Sequence, residues 1–107
     1  MCQIFAGQAP ERYEGETRSV RLGGHVTSVR LEQAYWEILE EVSQSQGMTL
    51  AKFITTLHDE VQELRGEVQN FTSLLRCACL TYVEEVRDNQ DAREDFKQDI
   101  VKVAGAI

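Results

Sequence analysis

The chain has 107 residues, 42% hydrophobic and 27% charged, the balance of a soluble globular domain rather than a disordered or fibrous chain. Eleven basic against eighteen acidic residues leave a formal charge of −7, which taken as a sum argues against a polyanionic partner. No run of about 18 apolar residues is present to span a membrane, Met1–Gly7 has no basic n-region, and three cysteines make no disulfide framework, so a reducing cytoplasm is expected.

In chain order, residues 1–16 carry Gly7, Pro10 and Gly15 without a period and are expected to form an irregular, flexible arm. Residues 18–22, Arg-Ser-Val-Arg-Leu, alternate, with Val20 and Leu22 on one face and Ser19 and Arg21 on the other. Gly23-Gly24-His25 reads as a turn. Residues 26–31 alternate again: Thr27, Val29 and Leu31 point one way, Val26, Ser28 and Arg30 the other. A short strand with one apolar face and open edges needs a partner. The partner is either 18–22 in a local hairpin or a second copy of 26–31 in another subunit, and both pairings fit a wider sheet. Between Thr17 and Leu31 stand Arg18, Arg21, Arg30 and His25 with no acid, so a basic strand segment sits on an acidic body.

From Leu31 the apolar spacing turns helical through Tyr35, Ile38, Leu39 and Val42, which predicts a first helix over 33–46 ending at Gly47. Thr49 is a natural N-cap for a second helix with the stripe Leu50, Phe53, Ile54, Leu57, Val61 and Leu64, interrupted at Gly66. Asn70 is expected to cap a third, whose apolar face is Phe71, Leu74, Leu75, Ala78, Cys79, Tyr82, Val83 and Val86. A thinner stripe of Ala92, Phe96, Ile100 and Val103 suggests a fourth over 91–104. No internal repeat is read along the chain. The expected fold is mainly α with a short β-ribbon, divided into an arm (1–16), a strand–helix–helix domain (17–65) and a C-terminal helical extension (66–107).

Little here supports catalysis. His25 and His58 are the two histidines, and His58 and Asp59, adjacent on a helix, diverge by about 100° rather than facing one cleft. There is no nucleophile elbow or phosphate-cradling glycine loop, so no enzyme, cofactor or small-molecule substrate is expected. Cys77 and Cys79 are rotated by about 200° on a helix, which separates a small core thiol at 79 from an exposed one at 77 rather than making a metal pair. Trp36 and Tyr35 read as packing residues, too isolated to stack bases. Ser28 and Arg30 carry more information. They project side by side, and an arginine reaches O6 and N7 of guanine bidentately while serine bonds several base edges. A solitary exposed arginine is also an ordinary feature of a wet strand face.

The order strand, helix, Gly-x-Thr turn, helix resembles the ribbon-helix-helix family of Arc and the methionine repressor. Val29-Arg30-Leu31 is similar to the end of the ribbon, Glu32–Gln46 to the first helix, and Gly47-Met48-Thr49 with Leu50–Ile54 to the start of the second. The longer run from Arg18 to Leu39 and the later Asn70–Arg76 resemble an extended bacterial and phage subfamily with extra C-terminal helices. The resemblance implies an intertwined homodimer with strands paired antiparallel between subunits. It implies base contacts from Val26, Ser28 and Arg30, a phosphate at Met48 and Thr49, and further backbone contacts from Arg18, Arg21 and His25. The dimer core would hold Thr27, Val29, Leu31, Trp36, Leu39, Phe53, Ile54 and Leu57. The expected function is sequence-specific binding of double-stranded DNA in the major groove, as a transcriptional repressor. The alternative is a dimeric protein-interaction module that uses the acidic C-terminal helices without DNA.

Overall fold

The computed structural model describes residues 3–87, and the expected helix at 91–104 lies outside them. The elements run α1 (Gln3–Ala6), a 3-10 turn (Pro10–Tyr13), β1 (Gly15–Leu22), β2 (His25–Glu32), α2 (Gln33–Ser45), α3 (Leu50–Arg65), α4 (Phe71–Thr81) and a π turn (Tyr82–Val86). A two-stranded ribbon therefore feeds directly into a helical body, as the change of sequence period at Leu31 predicts.

β1 and β2 pair antiparallel from Gly15↔Glu32 to Leu22↔His25, leaving Gly23 and Gly24 as the turn. Both glycines have positive φ, +57° and +84°. A two-residue hairpin of type I′ requires that conformation at both positions, because its twist then matches the twist of the strands. Of the two pairings that the sequence leaves open, the structure shows the local hairpin, with β1 as the partner of β2 on one edge. The ribbon also starts earlier than the alternation shows, at Gly15, where an irregular arm was expected. The Gln33 amide donates to the Glu14 carbonyl at 2.8 Å, and Trp36 Nε1 donates to the Glu16 carbonyl, also at 2.8 Å. These bonds fix the start of β1 on α2 across about twenty residues, and no local pattern encodes them.

The apolar face of the ribbon, Val20, Val29 and Leu31, joins Trp36, Leu39 and Val42 of α2, Phe53 and Ile54 of α3 and Leu75 and Cys79 of α4 in one buried cluster. Tyr82 and Val86 of the π turn close it. Gly47 ends the turn after α2 at φ +67°, and the Thr49 hydroxyl caps α3 by accepting from the Lys52 amide at 3.1 Å. Asn70 stands before α4 in the left-handed region (φ +52°), but its side chain makes no capping bond. The wider π turn keeps Tyr82 and Val86 buried and leaves Val83, expected on the apolar face, exposed. Cys79 is buried and Cys77 exposed, as the helical rotation requires. The Cys79 thiol donates to the Tyr35 carbonyl at 3.6 Å, and burial pushes its pKa up to about 12.

α4 is part of this core rather than an appendage. Leu75 is fully buried, and Arg76 and Arg87 reach back to Glu32 and Glu41. Leu75→Ala should therefore cost about 2–5 kcal/mol in urea unfolding, within a single transition. An unchanged midpoint would mean that α4 folds separately from the ribbon and α2.

Candidate nucleic-acid interface

In an antiparallel pair, residues directly opposite one another share a face. The observed register couples Thr17 with Arg30, Ser19 with Ser28 and Arg21 with Val26. All six side chains are exposed, Val26 by 64% despite being apolar. The alternate pairs, Arg18↔Val29 and Val20↔Thr27, turn toward the helices. One chain thus presents two columns of side chains on its outer surface, with Arg21 and Arg30 at opposite corners and two serines between them. The base-reading residues expected from the resemblance, Val26, Ser28 and Arg30, lie together here. Thr17, Ser19 and Arg21 stand beside them. The alternation in the sequence places Ser19 and Arg21 on the outer side of their strand, but it carries no signal that they lie beside Val26, Ser28 and Arg30; the register supplies that.

Arg30 folds diagonally over Gly15. A Cβ added at Gly15 would come within 2.6 Å of the Arg30 guanidinium, so the missing side chain makes room for it. Tyr13, Gly15, Arg30, Leu31, Glu32 and Arg76 line a polar recess of about 260 Å³ at this corner. Arg76 donates to both carboxylate oxygens of Glu32, at 3.1 and 3.4 Å. At the other corner, Arg21 makes a long contact to the Gly24 carbonyl at 3.4 Å.

Two of the expected backbone contacts sit elsewhere. Arg18 is on the helix-facing side, where it donates to Glu16 and to Glu40 and lies 4.7 Å over the Trp36 ring. Burial disfavours its charge, but the two carboxylates more than offset this, and its pKa is raised. These partners hold Arg18 in the fold rather than toward a phosphate. His25 is exposed, but its pairing with Leu22 gives it the parity of the inner face.

At the start of α3, the Met48 amide is spent on the Ser43 carbonyl at 2.9 Å, and the Thr49 hydroxyl on Lys52. The donors left without a backbone partner at the positive end of the helix are the amides of Thr49, Leu50 and Ala51. This turn lies close to the ribbon: Thr55, one turn further along, donates to the Arg21 carbonyl at 2.9 Å.

The residues expected in a dimer core are distributed differently. Val29, Leu31, Trp36, Leu39, Phe53 and Ile54 are already buried by the chain itself, and Leu57 is partly buried. Thr27 is exposed.

Glu32 has its pKa lowered by a hydrogen bond from its own backbone and by Arg76. A lowered folded-state pKa stabilises the fold above the ordinary glutamate value of 4.5 and loses that contribution as pH falls through and below it. Glu32→Gln should flatten this part of the stability–pH profile in thermal melts. At this exposed site the effect at neutral pH should stay within about 1 kcal/mol.

A ribbon-helix-helix domain model matches residues 15–83, a span that includes both strands and reaches into the π turn. An uncharacterized protein from Bordetella pertussis Tohama I has a similar structure, with a TM-score of 0.79 and 45% identity over 86% of this chain and 76% of that one. No curated protein matches. With an outward two-stranded ribbon, a Gly-x-Thr turn between α2 and α3, and a family match over most of its length, the chain belongs to the ribbon-helix-helix family.

Proposed function

We propose that this protein is a sequence-specific DNA-binding regulator that inserts its β-ribbon into the major groove and acts as a transcriptional repressor. The family is one of DNA-binding regulators in general, and the observation that carries the finer reading is the composition of the outer ribbon face. From Thr17 to Leu31 there is no acid on a chain of charge −7, and the exposed positions are hydroxyls, two arginines and a valine. A two-stranded antiparallel ribbon fits the major groove, and those side chains match base-edge acceptors and the thymine methyl. Arg30 reads a base after swinging away from Gly15, and the recess beside it leaves room for that movement.

The first turn of α3 supports this reading as a phosphate site, through the amides of Thr49, Leu50 and Ala51, while that of Met48 is held by Ser43. The exposed Lys52 adds a positive charge there. A homodimer in the cytoplasm belongs to the same proposal. Between α2, α3 and α4 lies a trough of about 330 Å³ with Phe53, Leu57, Leu74 and Ala78 in its wall, apolar surface that a second copy would cover. Among the described residues, no helix is long and apolar enough to cross a membrane.

A gel shift of the full chain against random genomic fragments at low salt, followed by Arg30→Ala on the selected duplex, tests the proposal. Loss of one bidentate arginine–guanine contact should lower affinity by roughly five- to 150-fold with an unchanged melting temperature. Unaltered affinity, or no shifted band with the native chain, would contradict it.

A further inference from the structure

The ribbon contains a repeat. Ser19-Val20-Arg21-Leu22 in β1 recurs as Ser28-Val29-Arg30-Leu31 in β2. The register places Ser19 directly opposite Ser28. A two-fold axis through that pair, perpendicular to the ribbon, carries residues 16–22 of β1 onto the residues nine positions later in β2. It exchanges Arg21 with Arg30, Val20 with Val29 and Leu22 with Leu31. Thr17 goes onto Val26, which has nearly the same shape. The equivalence extends to burial: both valines are buried, both arginines and both serines exposed. It breaks at Glu16 and His25, at Arg18 and Thr27, where only Arg18 meets the carboxylate of Glu40 on α2, and at Gly23 and Glu32, so that a carboxylate stands near Arg30 and none at the matching place near Arg21.

We infer that the hairpin is a complete, two-fold symmetric reading head within one chain, in which Arg21 and Arg30 contact equivalent bases on either side of a local dyad at Ser19 and Ser28. This rests on the DNA-binding reading above and specifies its ligand. Duplex DNA has its own dyads, and a symmetric ribbon fits best on a sequence that repeats itself inverted. The two arginine rows lie four residues apart, or about 13 Å at the rise of a strand. That is about four base-pair steps at 3.4 Å each. The recognised element is therefore a short inverted repeat with a guanine toward each end, on opposite strands. Thr17 and Val26 each offer a methyl group of the kind that packs on thymine. Each chain then carries the contacts for one such element.

Selection of bound sites from a random duplex library by the full chain, repeated with Arg21→Ala and with Arg30→Ala, tests this inference. Both side chains are exposed, so melting temperatures should stay unchanged and serve as the folding control. The native chain should select an inverted repeat. Each variant should relax one of its two guanine positions, a different one in each case, and lower affinity by a similar factor of roughly five- to 150-fold. If Arg30→Ala relaxes the site while Arg21→Ala leaves it unaltered, the inference is overturned and the DNA-binding reading stands. If the native chain selects no sequence, both are overturned.

Discussion

Everything in this molecule depends on the pairing of β1 with β2. A strand of eight residues with one apolar face and two open edges is unstable alone, and β2 carries Val29 and Leu31, which must leave water. Gly23 and Gly24 close the hairpin in a conformation that other residues adopt only with strain. The paired ribbon then offers the helices a continuous apolar underside. Trp36 completes the attachment: its ring is fully buried, its indole nitrogen bonds back to β1, and Arg18 lies over it. The surface left outside is a by-product of the same alternation, since every residue buried on one side sends its neighbours to the other.

The charge distribution follows the same division. The acidic body uses its carboxylates to hold arginines in place: Glu40 takes Arg18, Glu32 takes Arg76 and Glu41 takes Arg87. Exposed pairs of this kind add little energy each, but they fix which guanidinium groups are engaged. Among the described residues Arg21 and Arg30 form no ion pair, although Glu32 shares a corner with Arg30 and feels its charge. The net charge of −7 is thus a poor guide to the ribbon, whose outer face from Thr17 to Arg30 carries two arginines, hydroxyl groups and a valine, with Glu32 at its end.

Much of this could be read in the chain beforehand. The switch from period 2 to period 3.6 at Leu31 located the ribbon and α2, Gly47 and Thr49 bounded the next turn, and the offset of Cys77 from Cys79 sorted the exposed thiol from the buried one. The parts that were not legible depend on distant contacts. Gly15 and Glu16 look like loop residues until Gln33 and Trp36 bond to the backbone beside them. Arg18 looks like a free cation until Glu40, 22 residues away, claims it. The Ser-Val-Arg-Leu repeat is present in the sequence, but four residues are too few to distinguish from chance there. The register of the hairpin gives it meaning by setting the two copies about one axis. Six of the eight residues that the resemblance assigns to a dimer core are buried within one chain, by contacts among the ribbon and the helices that lie far apart in the sequence.

The central claim is that one chain's hairpin offers its whole outer face to DNA. Titration of isotope-labelled protein with a mixed-sequence duplex at low salt, followed by amide resonances in solution, tests it most directly. The account predicts that Thr17, Ser19, Arg21, Val26, Ser28 and Arg30 shift together, along with Leu50 and Ala51, while the amides of α4 stay in place. Shifts confined to β2, or centred on the helices with the ribbon unmoved, would contradict it.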